Sequence, residues 1–160
     1  MDDIRKVLDD HILWLAGLGG ECANLSGTDL SNAHLIDADL ISANLSGTNL
    51  RGANLSGTDL SNANLIGANL SNVHLSDANL SHTNLIDANL IGANLIGADL
   101  IDADLYGTNL SGADLSNANL RGADLSDANL IGADLSGTDL SNTNLIGAII
   151  DHTTIGVTMA

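Results

Sequence analysis

The side chains able to do chemistry are five histidines (His11, His34, His74, His82 and His152), one cysteine (Cys22), many serines and twenty acids. Histidines with carboxylates could hold a metal or move protons, Cys22 could act as a nucleophile or join two chains, and Ser, His and Asp together could transfer an acyl group. The spacing supports none of these. A general acid needs a pocket that shifts its pKa, and a regular surface offers none. Serine recurs as filler, so a Ser-His-Asp match at this composition is chance. Glycine recurs as a turn residue, outside the strand–loop–helix context of a phosphate loop. A single cysteine excludes an intrachain disulfide, and Cys22 reads as structural. The expectation is therefore no catalytic residue, no metal and no cofactor.

The frame that carries these residues is unusual. Leucine stands at every fifth position from Leu25 to Leu145, 25 times without a break. Five matches neither the 3.6-residue period of a helix nor the two-residue period of a strand, so it describes a longer winding with like sides. Two residues before each Leu sits a small side chain, as in Ala23, Thr28, Ala33, Ala38, Ala43, Thr48 and Ala63, with one valine at Val73. Immediately before each Leu sits Asn, Asp or His. The next two residues are mostly Ser, Ile, Gly, Asn or Asp. The Leu and the small residue are expected to point inward, the small one leaving room for its neighbour in a tight interior. The core residues are then Leu25, Leu45, Leu65, Leu85, Leu105, Leu125 and Leu145 with Ala23, Ala43 and Ala63. Phe and Pro are absent and Trp and Tyr occur once each, as a narrow interior filled by one kind of side chain requires.

Residues 2 to about 17 follow a different rule. Asp2 or Asp3 can cap a helix start, and Ile4, Val7, Leu8, His11, Ile12 and Leu15 share one helical face. Gly17, Gly19 and Gly20 end it.

Ala53-Asn54-Leu55-Ser56-Gly57 and Ala98-Asp99-Leu100-Ile101-Asp102 are copies of the pattern A(D/N)Lxx. Over residues 21–155, about 27 pentads, the chain resembles the pentapeptide-repeat family, and in particular its plain cyanobacterial-type members with an N-terminal capping helix. The resemblance implies an all-β solenoid, a right-handed quadrilateral parallel β-helix of about seven coils with a short N-terminal α-helical cap. Four pentads would make one square coil, so the structural period is twenty residues. At roughly 4.8 Å per coil the rod is about 32 Å long. The chain divides into a capping helix and Gly-rich turn (1–20), the β-helix (21–155) and a tail (156–160).

A solenoid exposes core and backbone edges at its ends. Ile4, Val7, Leu8, Ile12, Leu15 and Trp14 are expected to cover the first coil. At the other end the pattern decays and turns apolar, with Ile149 in place of the usual Asn or Asp. The resemblance implies a homodimer there, with Ile149, Ile150, Ile155 and Val157 as its contact.

With the period of twenty that the resemblance implies, outward residues fall into columns. Asn24, Asn44, Asn64 and Asn84 form one, and Asn49, Asn69, Asn89, Asn109 and Asn129 another, both expected to stack as amide ladders. Asp39, Asp59, Asn79, Asp99, Asn119 and Asp139 form an acidic stripe, while Asp104 with Asp124 and Asp114 with Asp134 lie on other faces. His34 and His74 share a column but stand two coils apart, about 10 Å, too far to share a metal. Isoleucine follows Leu at several positions, and Ile86, Ile91, Ile96 and Ile101 belt one coil. Scattered surface isoleucine is ordinary in β structure, but Ile66, Ile86 and the sole tyrosine, Tyr106, align into a strip of the kind that makes protein contacts.

The net charge is −16, with only Arg5, Lys6, Arg51 and Arg121 as bases. Such a surface repels nucleic acid and anionic membranes, so neither is an expected partner, and it suits a basic protein. The start is acidic, without a signal-peptide pattern, and no stretch approaches 18 apolar residues, which reads as cytoplasmic. The first functional reading is a structural or protein-interaction scaffold. The second is a DNA mimic acting on a type II topoisomerase, since some family members resemble a duplex, bind DNA gyrase and confer quinolone resistance. The repeats carry 16 acids over the rod, against about 19 phosphates on a duplex of that length. The mimics usually favour Phe inside and several carry loops, and this chain has neither. On both readings the interaction surface is Asp39, Asp59, Asp99, Asp139, Asp104 and Asp124.

Overall fold

Each pentad has five backbone N–H groups to satisfy, and the architecture follows from where they go. The structure, a computed structural model that describes residues 2–156, gives the answer in any central repeat. Ala63 N donates to Leu60 O at 2.9 Å and closes a turn. Asn64 N donates one coil back, to Ala43 O at 2.9 Å. Leu65 N donates one coil on, to Asn84 O at 2.7 Å, and Gly67 N does the same to Ile86 O at 2.9 Å. The fifth, Ile66 N, donates to a side chain, Asn64 Oδ1, at 3.1 Å.

Parallel bridges twenty residues apart result, such as Asn24 with Asn44 and Asp39 with Asp59. They stack into four faces, which begin at Asn24, Asp29, His34 and Asp39. Each side of a coil is a single bridge between two turns, so the solenoid contains no strand longer than that among the described residues. Every turn has a positive φ at its second post-Leu residue, the requirement of a type II turn. This explains why Gly, Asn and Asp dominate that position: left-handed backbone is strained for other L-residues.

Every Leu from Leu25 to Leu135 is buried, and so are Ala23, Ala43 and Ala63. Threonine at the small position contributes more than its size. The hydroxyls of Thr48, Thr58 and Thr83 are buried and donate to Leu25 O, Leu35 O and Leu60 O of the preceding coil at 2.8–3.0 Å.

Leu145, expected in the core, is 37 % exposed, because no further coil covers it. Beyond it an extra residue at Asp151 shifts the register, so Asp134 bridges Ile155 twenty-one residues on. Ile149 and Ile155 are exposed at this end, Ile150 is half-buried, and Val157 lies outside the described residues.

At the other end helix α1 (Asp2–Leu15) lies against the first coil. Gly17, at φ 67°, lies in its C-terminal turn. The side chains of Asp2 and Asp3, expected as caps, lie outside the described ones. Ile4, Val7 and Leu8 pack on the core, Leu15 is half-buried and His11 is fully buried. Ile12 and Trp14, also expected to cover the coil, are 57 % and 40 % exposed. At about 100° per residue they point roughly 90° and 70° away from the centre of the buried stripe, so only one narrow row reaches the coil. Ala33 and Ala38 remain half-buried, and an open groove of about 860 Å³ runs between Ile4, Leu8 and Ile12 on α1 and Leu30, Ala33 and Leu35 on the coil.

His11 joins the cap to the first pentad. Its Nδ1 accepts the Ala23 N–H at 3.1 Å, so the neutral ring carries its proton on Nε2, which is buried without a partner. Burial pushes the imidazole pKa down, and the charge of Asp39 pulls against that shift. With the folded value below the unfolded one of about 6.5, this docking is fully stable above that pH and is lost as pH falls through the folded pKa. Trp14, the only tryptophan, stacks on His11 at 5.5 Å and reports on it. We expect its fluorescence to change as pH falls below about 6.5, and the step to disappear in His11→Asn, which keeps the acceptor without the titration. An identical step in that variant would refute the assignment.

Candidate functional site

The Asn or Asp before each Leu is first a backbone brace. In every described repeat from Asn24 to Asn144 with Asn or Asp there, Oδ1 accepts the N–H two residues on, as at Asp29 (3.0 Å), Asp59 (2.9 Å) and Asp114 (3.0 Å). His34 and His74 make no such bond, so histidine does not replace Asn in this role. Where serine follows Leu, its hydroxyl often adds a second bond to the same oxygen, as Ser46 does to Asn44 at 2.8 Å and Ser126 to Asp124 at 2.5 Å.

These donors tune the acidic columns. The Ser126, Ser136 and Ser141 hydroxyls, with the backbone N–H groups beside them, hold Asp124, Asp134 and Asp139 below the usual carboxylate range. Asp29 is lowered chiefly by the Ser31 N–H. These four carboxylates are therefore held as anions. Asp39 bridges Asp59, Asp104 bridges Asp124, and Asp114 bridges Asp134. Asp99 and Asp139 stand beside Asn119 on the Asp39 face. The amide ladders form in part: Asn44 Nδ2 donates to Asn24 at 3.2 Å and Asn69 Nδ2 to Asn49 at 3.3 Å, while Asn79 and Asn144 donate to Asp59 and Asp124 at 3.1 Å.

The second post-Leu column was legible only as polar turn residues, yet it adds five more carboxylates at the corners: Asp37, Asp77, Asp87, Asp102 and Asp127, all at φ 53–57°. The signal was there, since this position is nearly always Gly, Asn or Asp. The corner that begins at Cys22 departs from the rule and stacks Ser42, Asn62, His82 and Asp102, with His82 Nδ1 4.0 Å from Asp102 Oδ2.

Among the described residues, no three His, Cys, Asp or Glu side chains gather as metal ligands. Burial pushes the Cys22 thiol up, and Sγ is engaged with Ser42 O at 3.3 Å, which disfavours the nucleophilic thiolate. No helix among the described residues is long and apolar enough to cross a membrane.

The brace can be tested at Asn89, which is half-buried and accepts the Ile91 N–H at 3.2 Å. Asn89→Ala should lower stability by about 1 kcal/mol in urea unfolding, while Asn89→Asp, which keeps the acceptor, should cost less than half of that. Equal losses would refute the brace, since Asn89 makes no coil-to-coil amide bond.

A family model described as pentapeptide repeats matches residues 21–57, 53–90, 83–122 and 123–155. A pentapeptide repeat protein from the Arabidopsis thaliana thylakoid lumen is 38 % identical, with 61 % of this chain and 68 % of that one aligned at a TM-score of 0.60. HetL, from the cyanobacterium Nostoc and involved in heterocyst differentiation regulation, is 30 % identical over 78 % of this chain and 73 % of its own, with a TM-score of 0.38. QnrB1, a plasmid-mediated fluoroquinolone resistance protein, is 19 % identical over 81 % and 79 %, with a TM-score of 0.39. No curated protein sequence matches the chain.

Proposed function

This chain belongs to the pentapeptide-repeat family, and from that premise we propose that it is a structural or protein-interaction scaffold. It is a right-handed quadrilateral β-helix of about seven coils that presents an acidic surface to a basic protein in the cytoplasm and carries out no catalysis. The observation that supports this most is the bracing of the acids. Asp39, Asp59, Asp99, Asp139, Asp104 and Asp124 each hold a backbone N–H, so their charges are fixed in place before any partner arrives. A fixed array loses little side-chain entropy on binding and sets partner choice by charge.

Asn accepts the same hydrogen bond, so charge can be removed while the brace stays. Immobilised protein should retain a basic partner from cell extract at low salt and release it by about 0.3 M salt. The variant with Asp39, Asp59, Asp99 and Asp139 changed to Asn should retain far less. Retention of the same proteins by both would sink the acidic-scaffold reading.

A second reading, the DNA mimic, is favoured by charge density alone: the repeats carry 16 acids, near the roughly 19 phosphates of a duplex as long as the rod. On that reading the protein inhibits DNA gyrase supercoiling, or protects the enzyme from a quinolone, more weakly as salt rises. No effect at micromolar protein rules it out.

A further inference from the structure

The residue after each Leu lies in a turn, not in a strand, so β-propensity does not explain isoleucine there. Serine suits the site better, because its hydroxyl bonds the brace, as at Ser46, Ser71 and Ser111. Ile66, Ile86 and Tyr106 make only the backbone bond. Yet these three follow one another up a single corner whose other members include Ser26, Ser46 and Ser126. Ile66 is 39 % and Tyr106 45 % exposed. Ile86 between them is half-buried, so the two ends of the run are its open surface.

Carboxylates surround it. Tyr106 N donates to Asp104 Oδ1 at 3.1 Å, and the nearby Asp127 carboxylate pushes the Tyr106 phenol pKa up. Asp87 and Asp124 also act on the phenol. Asp104 and Asp124 are adjacent on one face, and Asp87 and Asp127 occupy the corner itself. The complementary partner is apolar along one line and cationic beside it. Guanidinium or ammonium groups would meet the four acids, and one could lie over the Tyr106 ring.

Spacing selects the partner's conformation. Ile66 and Tyr106 are two coils apart, about 9.6 Å along the rod at roughly 4.8 Å per coil. Successive turns of a helix repeat about every 5.4 Å, so two turns overshoot by about 1 Å. Same-side residues of a strand repeat at about 6.6 Å, and two such steps overshoot by more than 3 Å.

We propose that the strip Ile66–Ile86–Tyr106, framed by Asp87, Asp104, Asp124 and Asp127, docks a cationic amphipathic helix of a partner protein lying along the rod. The assignment rests on the scaffold reading and gives it a place and a partner chemistry. An eighteen-residue peptide of leucine and lysine at helical spacing serves as the probe, with fluorescence anisotropy as the readout. Replacing Ile66, Ile86 and Tyr106 together by Ser, the residue native to this corner, should weaken binding at least about tenfold. D104N/D124N should weaken it and flatten its salt dependence. The distant set D114N/D134N, the same charge change on the opposite face, should change it less than about twofold. An equal loss from the distant set, or none from the serine variant, overturns the proposal. So does equal binding of a same-composition peptide with alternating leucine and lysine. If the serine variant still captures the wild type's partners from extract, the strip assignment falls while the scaffold reading stands.

Discussion

One hydrogen bond governs this molecule: the turn N–H after each Leu, held by Oδ1 of the Asn or Asp before it. Four of the five N–H groups in a pentad find carbonyls in turns or neighbouring coils, as in Ala63 to Gly67. The remaining one faces outward at a corner, where only a short side chain two residues back can reach it. Serine and threonine hydroxyls make such a bond more weakly, and the positions where His stands instead lack it. The repetition in the sequence is thus the repetition of one unmet donor.

The same constraint accumulates charge. Asn and Asp are the residues that brace the turn, and with Gly they are also the ones that best tolerate the left-handed corner. A chain that draws on them at two positions in five is one atom exchange from an anion wherever Asn stands. Asn adds a rung to the ladder, as Asn44 does on Asn24, whereas Asp stacked on Asp adds repulsion, as at Asp104 and Asp124. Acidity therefore costs the fold something where carboxylates adjoin, and its retention on particular faces calls for an explanation outside the fold.

The winding, the core and the faces could be read from the sequence because a strict period leaves few ways to wind the chain. Leu65 and Ala63 are buried for the same reason as Leu85 and Ala43. What could not be read lies where the period stops. Leu145 obeys the pattern perfectly yet is exposed, since burial depends on the next coil and not on the residue. Ile12 and Trp14 fit an apolar helix face, but the width of the contact is set by how α1 tilts on one coil. The left-handed corner was visible in composition as a preference for Gly, Asn and Asp, but its geometry needed backbone angles. His11 looked like one more stripe residue, and its bond to Ala23 N depends on how the cap is seated.

A repeat this strict also turns departures into information. Where the fold dictates a residue, its presence says nothing about use, and Leu, the small residue and the brace are all dictated. The post-Leu position is not: serine, isoleucine, arginine and tyrosine all occupy it with the same backbone bonds. Three consecutive apolar choices on one corner, each giving up a hydroxyl bond to the brace, are a departure that local energetics oppose. Single exposed isoleucines such as Ile36 and Ile131 need no explanation, but an aligned apolar run on an acidic rod is the kind of surface that a contact covers. The middle of the rod, where each coil is held on both sides, is also the part rigid enough to keep such a strip aligned, since the end coils have neighbours on one side alone.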